Sequence, residues 1–359
     1  MESTKKRLLS LDVLRGITVA GMILVNNGGG KDVYAPLKHS VWNGLTPCDL
    51  VFPFFLFIMG ISTYISLSKF EFKPSKEVIL KILKRTMLII LIGWGIGWFE
   101  HICHGDFFPL NNIRILGVLV RIGICYGIVS FIALYMNHRY ILWITGLLLL
   151  SYSFILLLGN GYECNDTNIL AIIDRSIFGQ AHLYQKSPID PEGFVSTISA
   201  IAHTLIGFYC GKIIMKSKTI DDKVLKLYIF GFIILCIGLL ITYTLPLNKR
   251  VWSPSFVLTT CGLCSMLQAT LMYFIDIKNV KGWSKFFVIF GVNPLFLYVL
   301  SEVLAILFGV TGLKHIIYSS INGIITDTYI SSAIYAISFT LMLGLAGYPF
   351  YRKHIYIKL

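Results

Sequence analysis

Charge is what this sequence has least of. Asp, Glu, Lys and Arg fill 14% of its 359 positions, where a soluble domain carries about 25%. The deficit runs along the whole chain, so it excludes a soluble globular protein with one sticky segment. Acidic residues are the scarcer sign, 18 against 31 Lys and Arg, which leaves a net charge of +13. No basic domain stands apart from the apolar runs, so nucleic acid is not an expected partner. No signal-peptide cleavage pattern precedes the first apolar run. Lys5-Lys6-Arg7 ahead of it read as the cytoplasmic flank of a retained first helix. No internal repeat points to a transporter built from inverted repeats, and no segment is of low complexity. The HExxH arrangement of a zinc enzyme is also missing. His101 and His104, beside Glu100 and Asp106, stand three apart, and no metal is expected.

What is abundant is apolar surface. Hydrophobic residues make up 56% of the chain and mean hydropathy is +0.75. These values predict an all-α polytopic membrane protein, a single transmembrane domain over residues 1–359. Apolar runs long enough to span lie near 9–27, 50–68, 79–99, 115–136, 140–158, 194–214, 225–245, 254–275, 285–310 and 331–352. A bundle of about ten helices places both termini on one side. Twenty-one lysines and arginines then fall at that side and seven at the other, alternating loop by loop. Basic loops stay in the cytoplasm, so both ends are expected there, with loops 28–49, 100–113, 159–193, 246–253 and 311–330 outside. The eight cysteines lie mostly in or beside apolar runs. Cys261-Gly-Leu-Cys264 has redox spacing but no βαβ context, so both are read as small buried residues.

Polar residues concentrate in the first outer loop, from Asn26-Asn27-Gly28-Gly29-Gly30-Lys31 to Lys38-His39-Ser40-Val41-Trp42-Asn43 and Asp49. His39 is the side chain there whose ordinary titration range suits proton transfer near neutral pH. Asp49 opens the second span, where it can cap the helix or orient an imidazole. Asn26 closes the first span and can donate to a carbonyl or developing oxyanion. Within the spans, Asp12 and Arg15 share a helix face. Arg114 and Arg121 stand two turns apart, suited to phosphate or to an ion pair inside the bundle. His203, Glu302 and the turn Asp190-Pro191-Glu192-Gly193 complete the polar inventory.

The first seventy residues carry a resemblance. Ser10-Leu11-Asp12-Val13-Leu14-Arg15-Gly16, Val25-Asn26, Gly28-Gly29-Gly30-Lys31, Lys38-His39 through Thr46, Asp49-Leu50-Val51-Phe52-Pro53 and Phe57-Ile58-Met59-Gly60 resemble the signature of the heparan-α-glucosaminide N-acetyltransferase family. The likeness continues at Asp190–Gly193, at Pro246-Leu247-Asn248-Lys249-Arg250-Val251-Trp252-Ser253, and from Gly291-Val292-Asn293 through Tyr298-Val299 to Glu302. The resemblance implies acetyl transfer from cytosolic acetyl-CoA to a glucosamine amine across the membrane. It puts the active-site histidine on His39, with Asn26 and Asp49 beside it. Asn27 and Pro47-Cys48 depart from the family pattern, and the leading luminal domain of the lysosomal enzyme is absent from this sequence. A bacterial inner-membrane enzyme acting on free glucosamine or an amino-sugar oligosaccharide is therefore expected.

These readings give a candidate site. His39 acts as general base, with Asp49 and Asn26. Arg15, Arg114, Arg121 and Asn293 would contact acetyl-CoA, Arg15 foremost because its depth suits the cytoplasmic end. Trp42, Asn43, Asp190, Glu192 and Glu302 would contact the acceptor. Direct transfer in a ternary complex is expected over an acetyl-histidine intermediate. The rival reading is an amino-sugar permease without acetyl transfer, in which His39 and Asp49 only bind or relay protons. The lipid bilayer is the surrounding partner, and a homodimer is compatible with the sequence.

Overall fold

The fold is described from a computed structural model covering residues 8–185 and 187–357. Lys5, Lys6, Arg7, Lys186 and Lys358 of the charge asymmetry lie outside the described residues. Among the described residues there are thirteen α-helices and no strand. They are α1 (Leu9–Asn26), α2 (Pro47–Ser68), α3 (Lys76–Cys103), α4 (Val118–Tyr135), α5 (Ile141–Leu158), α6 (Ile169–Phe178) and α7 (Thr197–Lys216). There follow α8 (Ile220–Ile241), α9 (Pro254–Leu271, continued by a π-helical turn Met272–Ile277), α10 (Ser284–Val292), α11 (Pro294–Val310), α12 (Leu313–Ile324) and α13 (Thr328–Arg352). Polar caps set several starts. Ser75 receives the amide of Val78, Thr219 that of Asp222, Ser253 that of Phe256, and Asp327 those of Tyr329 and Ile330.

Each expected span falls on a helix, with two differences. Among the described residues, eight helices are long and apolar enough to cross a membrane: α1, α2, α4, α5, α7, α8, α9 with its π turn, and α13. The expected unbroken span over 285–310 is instead two helices, α10 and α11, bent by 83°. Asn293-Pro294 explains the break, because proline lacks an N–H and pushes the residue before it out of helical geometry. The run at 79–99 lies within α3, which is 28 residues long but is not among the eight. Its first ten residues carry Lys76, Glu77, Lys81, Lys84 and Arg85.

The loops gather at two ends, as alternating crossings require. At one end Gly44 N–H donates to Leu247 O, Ile115 N–H to His182 O and Gly29 N–H to Ser332 O. The Trp42 indole donates to Tyr162 O at 2.7 Å in the same layer. At the other end Lys212 Nζ donates to His138 O at 3.0 Å, and the Phe72 and His138 rings meet at 4.3 Å. His182 also bonds Ile113 O and the Tyr34 ring meets Tyr329, so the loops expected on one side of the membrane gather at one end of the bundle.

Glycine allows the central helices to touch backbone to backbone. A Cβ on Gly207 of α7 would stand 2.1 Å from Phe57 O of α2, and one on Gly16 of α1 would stand 1.8 Å from Phe287 O of α10. Such contacts let dispersion and polar contacts drive helix association where no hydrophobic effect operates between helices. The periphery is apolar in the opposite sense. α8 presents Leu225, Phe232, Ile233 and Leu240 outward, a face suited to lipid chains.

Candidate active site

The site grows from the first turn of α2. Pro47 opens the helix and Asp49 occupies its third position, where Oδ2 accepts the Thr46 amide at 3.1 Å. The Ser40 amide reaches the same oxygen at 3.1 Å. That arrangement leaves Oδ1, which lies 2.8 Å from Nδ1 of His39. One carboxylate therefore caps the helix with one oxygen and holds the imidazole with the other. Asp49 is fully buried, while the His39 side chain is 49% exposed. A carboxylate can only accept, so the proton between them belongs to Nδ1. In the neutral ring that tautomer leaves the lone pair on Nε2, where a general base needs it.

Two further side chains crowd the same nitrogen. Cys48 Sγ lies 3.2 Å from it and is buried. Lys249 reaches over from the turn before α9, with Nζ 3.1 Å from His39 Nδ1 and 3.5 Å from Asp49 Oδ1. The turn is aligned by Asn248, whose amide donates to Asn43 Oδ1 at 3.1 Å. Burial pulls the Lys249 ammonium below the usual lysine range, and the Asp49 charge offsets part of that fall.

Behind Lys249 lies an acidic pair that is already matched. Arg114 makes a two-pronged bond to Asp190, at 2.5 and 3.2 Å, and a third contact to Glu192 at 2.6 Å. Burial works against the guanidinium charge, and Glu192 and Asp190 overcome it, holding Arg114 above its ordinary range. The Asp190 carboxylate also accepts the amides of Tyr184 and Glu192, each at 2.9 Å. Glu192 lies within electrostatic reach of both Lys249 and Tyr298. Tyr298 and Asn26 both lie near enough to the Glu302 carboxylate to act on it electrostatically. Asn26 thus neighbours Glu302, while Asp49 holds His39.

The remaining candidates serve other contacts. Arg121 is buried, donates to Gly193 O at 3.0 Å and to Ser196 Oγ, and lies 5.2 Å over the Trp252 ring. It ties the Asp190–Gly193 turn to the turn that carries Lys249. At the opposite end Arg15 donates to Asp12 at 3.1 Å, to Ser62 Oγ at 3.0 Å and to Gly291 O at 3.3 Å. Asn293, nearby at the α10–α11 break, bonds Ile355 O at 2.9 Å and Ile357 N at 2.8 Å. Among the described residues no group of three or more His, Cys, Asp and Glu is arranged to hold a metal. The side chain that residue-type reasoning left without a role is Lys249. Its signal in the sequence was its position: a lysine in a short loop on the face where basic residues are few.

The family model described as heparan-alpha-glucosaminide N-acetyltransferase, catalytic, matches residues 7–245, which include His39, Asp49, Arg114 and Glu192. Heparan-alpha-glucosaminide N-acetyltransferase of Mus musculus is 31% identical over 362 residues, covering 84% of this chain and 54% of the relative. The Homo sapiens protein of the same name is 32% identical over 358 residues, covering 83% and 53%. The chain spans about half the length of these relatives. With a family match through the first eight helices and a third of its residues shared along most of its length, the chain belongs to the heparan-α-glucosaminide N-acetyltransferase family.

Proposed function

We propose that this chain is a membrane-embedded N-acetyltransferase that moves acetyl from acetyl-CoA to the amino group of glucosamine or a glucosamine-terminated glycan. The observation that carries the reading is the 2.8 Å bond between His39 Nδ1 and Asp49 Oδ1, in a chain of this family. An amine attacks a thioester only when neutral, so the site needs a base, and Nε2 of His39 is exposed to supply one. Nε2 takes the amine proton as nitrogen adds to the thioester carbonyl. The carbon–sulfur bond then breaks and coenzyme A leaves as its thiol after taking up a proton. A positioned base contributes about 10²–10⁴-fold to such a step.

The acceptor's hydroxyl groups are assigned to Glu302 and Tyr298 of α11, Asn26 at the end of α1 and Asn43 of the first loop. The donor's phosphates are assigned to the opposite end, where Arg15 stands beside Asp12, Ser62 and Gly291, while Arg114 is held in the loop layer by two carboxylates. Detergent-purified protein given radiolabelled acetyl-CoA and glucosamine is expected to release labelled N-acetylglucosamine. Binding or transport of the amino sugar with no acetylation of glucosamine or of glucosamine-ended oligosaccharides would establish the permease instead.

The same reading sets the gathered loops, His39 included, on the periplasmic face of a bacterial inner membrane, with both ends cytoplasmic. It rests on the split of 21 to 7 basic residues. Lys76 is exposed at the start of α3. In protein lacking the exposed Cys164, Lys76→Cys is expected to react with an impermeant maleimide only after cells are opened. Labelling in intact cells reverses the orientation.

A further inference from the structure

Arg121 is a buried charge with no carboxylate bonded to it. The residue is 1% exposed, and one nitrogen, Nη2, serves both Gly193 O and Ser196 Oγ. Nε and Nη1 find no hydrogen-bond partner in the chain. The Trp252 ring, 5.2 Å away, offsets part of the charge, but a guanidinium out of water also needs acceptors. Asp174 of α6 is the complementary case. It is fully buried, its Oδ1 accepts the Phe194 amide at 2.9 Å, and its Oδ2 meets no donor. Both side chains flank Gly193. Arg121 holds its carbonyl at 3.0 Å, and a Cβ there would stand 2.2 Å from Asp174 Oδ2. The guanidinium acts on the carboxylate electrostatically, yet no hydrogen bond joins them. We infer that Arg121 and Asp174 form a solvent-excluded ion pair bridged by ordered water, a buried hydration site that clasps α4 and α6 to the turn before α7. The inference does not depend on acetyl transfer.

The neighbours and the charge count select water as the occupant. Tyr162 presents a buried hydroxyl with no partner in the chain. Tyr152, whose hydroxyl donates to Val251 O, lies within electrostatic reach of Arg121, Asp174 and Tyr162. Open N–H donors, a free carboxylate oxygen and the tyrosine hydroxyls supply the several polar contacts a buried water needs. Burial pushes the Asp174 carboxyl up to about 6, against the pull of the Phe194 amide and Arg121, so it is ionised at neutral pH. A bound anion would set a second negative charge beside it for one guanidinium, and Asp190 already adds its own field. Neutral water bridges the pair without that repulsion. Glycine at 193 keeps the gap open, since the first carbon of any side chain would meet Oδ2.

The test is a double-mutant cycle on thermal unfolding in detergent at neutral pH. Arg121→Met strands a buried carboxylate and Asp174→Asn a buried guanidinium. Each is expected to lower the Tm by about 3–5 °C, less than loss of a direct ion pair would. Arg121→Met/Asp174→Asn removes both charges and is expected to be no less stable than the weaker single variant. Additive losses overturn the pairing. Should Arg121→Met fail to fold, a folded double variant is the expected rescue, and a double variant that also fails overturns the pairing. Water is read separately by radiolytic hydroxyl labelling, which oxidises side chains beside bound water. Tyr152 and Trp252 are buried and are expected to be oxidised well above Phe256, an equally buried ring 5.3 Å from Trp252. Labelling no higher than that of Phe256 makes the pair dry and overturns the bridge. Exchanging chloride for gluconate is expected to leave the wild-type Tm unchanged. A fall seen in wild type and not in Arg121→Met would put an anion in the site and overturn the inference.

Discussion

Replacing His39 with alanine is expected to abolish acetyl transfer while leaving acetyl-CoA binding within a few-fold of wild type. The loss has a physical size. A positioned base is worth about 10²–10⁴-fold, and the group near Nε2, the buried thiol of Cys48 at 3.7 Å, is no substitute for an imidazole. The folded state should tolerate the change, because the ring is half exposed and Asp49 Oδ2 keeps its cap on Thr46 and Ser40. Asp49→Asn gives a sharper version of the test. An asparagine can present its NH₂ to Nδ1, which forces the proton to Nε2 and removes the base without moving the ring. An amide in place of an orienting carboxylate costs a catalytic triad about 10⁴-fold. Both variants are read by labelled acetyl transfer to glucosamine, with acetyl-CoA affinity measured by isothermal titration. Full turnover in His39→Ala removes the assignment. Acetyl-histidine on His39 that chases onto glucosamine would replace direct transfer by a two-step route through the same nitrogen.

How far the sequence revealed this site depended on how far each contact reaches along the chain. His39 and Asp49 are ten residues apart, within one loop and one helix turn, and the pairing could be anticipated from residue types. The open choice between a helix cap and an imidazole partner had no sequence answer, because the two oxygens of Asp49 do both. Asn26 closes α1 near His39 in sequence, yet the structure brings it beside Glu302 of α11. Arg114 and Arg121 invited phosphate by their spacing. Their partners lie 72 to 78 residues away at Asp190, Glu192, Gly193 and Ser196; only the packed bundle shows that Arg114 is matched by two carboxylates, while Arg121 donates through one nitrogen and keeps Nε and Nη1 buried without a hydrogen-bond partner. Lys249 stands 210 residues from His39, beyond any local pattern. The spans were more legible, since an apolar run long enough to cross needs no tertiary partner to be recognised. The break at Asn293-Pro294 was visible in principle as a proline in an apolar run. α6 and α12 had weaker signals, because short amphipathic helices at a loop layer look like loops with scattered apolar residues.

Removing the Arg114 guanidinium should cost more stability than any single change elsewhere in the loop layer. Asp190 is fully buried and the Glu192 side chain is 10% exposed, while the Arg114 side chain is 32% exposed. Breaking a buried ion pair by deleting one partner costs about 3–5 kcal/mol, because the charge left behind has no compensation. The exposure of Arg114 puts the expected loss for Arg114→Met near the lower end of that range. The two acids do not suffer equally. Asp190 keeps the amides of Tyr184 and Glu192, whereas Arg114 is the hydrogen-bond donor that the Glu192 carboxylate loses. Neutralising Glu192 in the double variant Arg114→Met/Glu192→Gln should therefore recover a substantial part of the loss. Asp190→Asn in place of Glu192→Gln should recover less, since it weakens acceptors that still hold two amides. Thermal unfolding in detergent, followed by cysteine reactivity of the buried Cys261 and Cys264, measures all three. An Arg114→Met protein as stable as wild type would mean that the acids find other donors, and that the guanidinium is free for an anionic ligand after all. A destabilised variant whose folded fraction still binds acetyl-CoA with wild-type affinity separates Arg114 from the donor site and leaves it as the clasp between the α3–α4 loop and the turn that leads into α7.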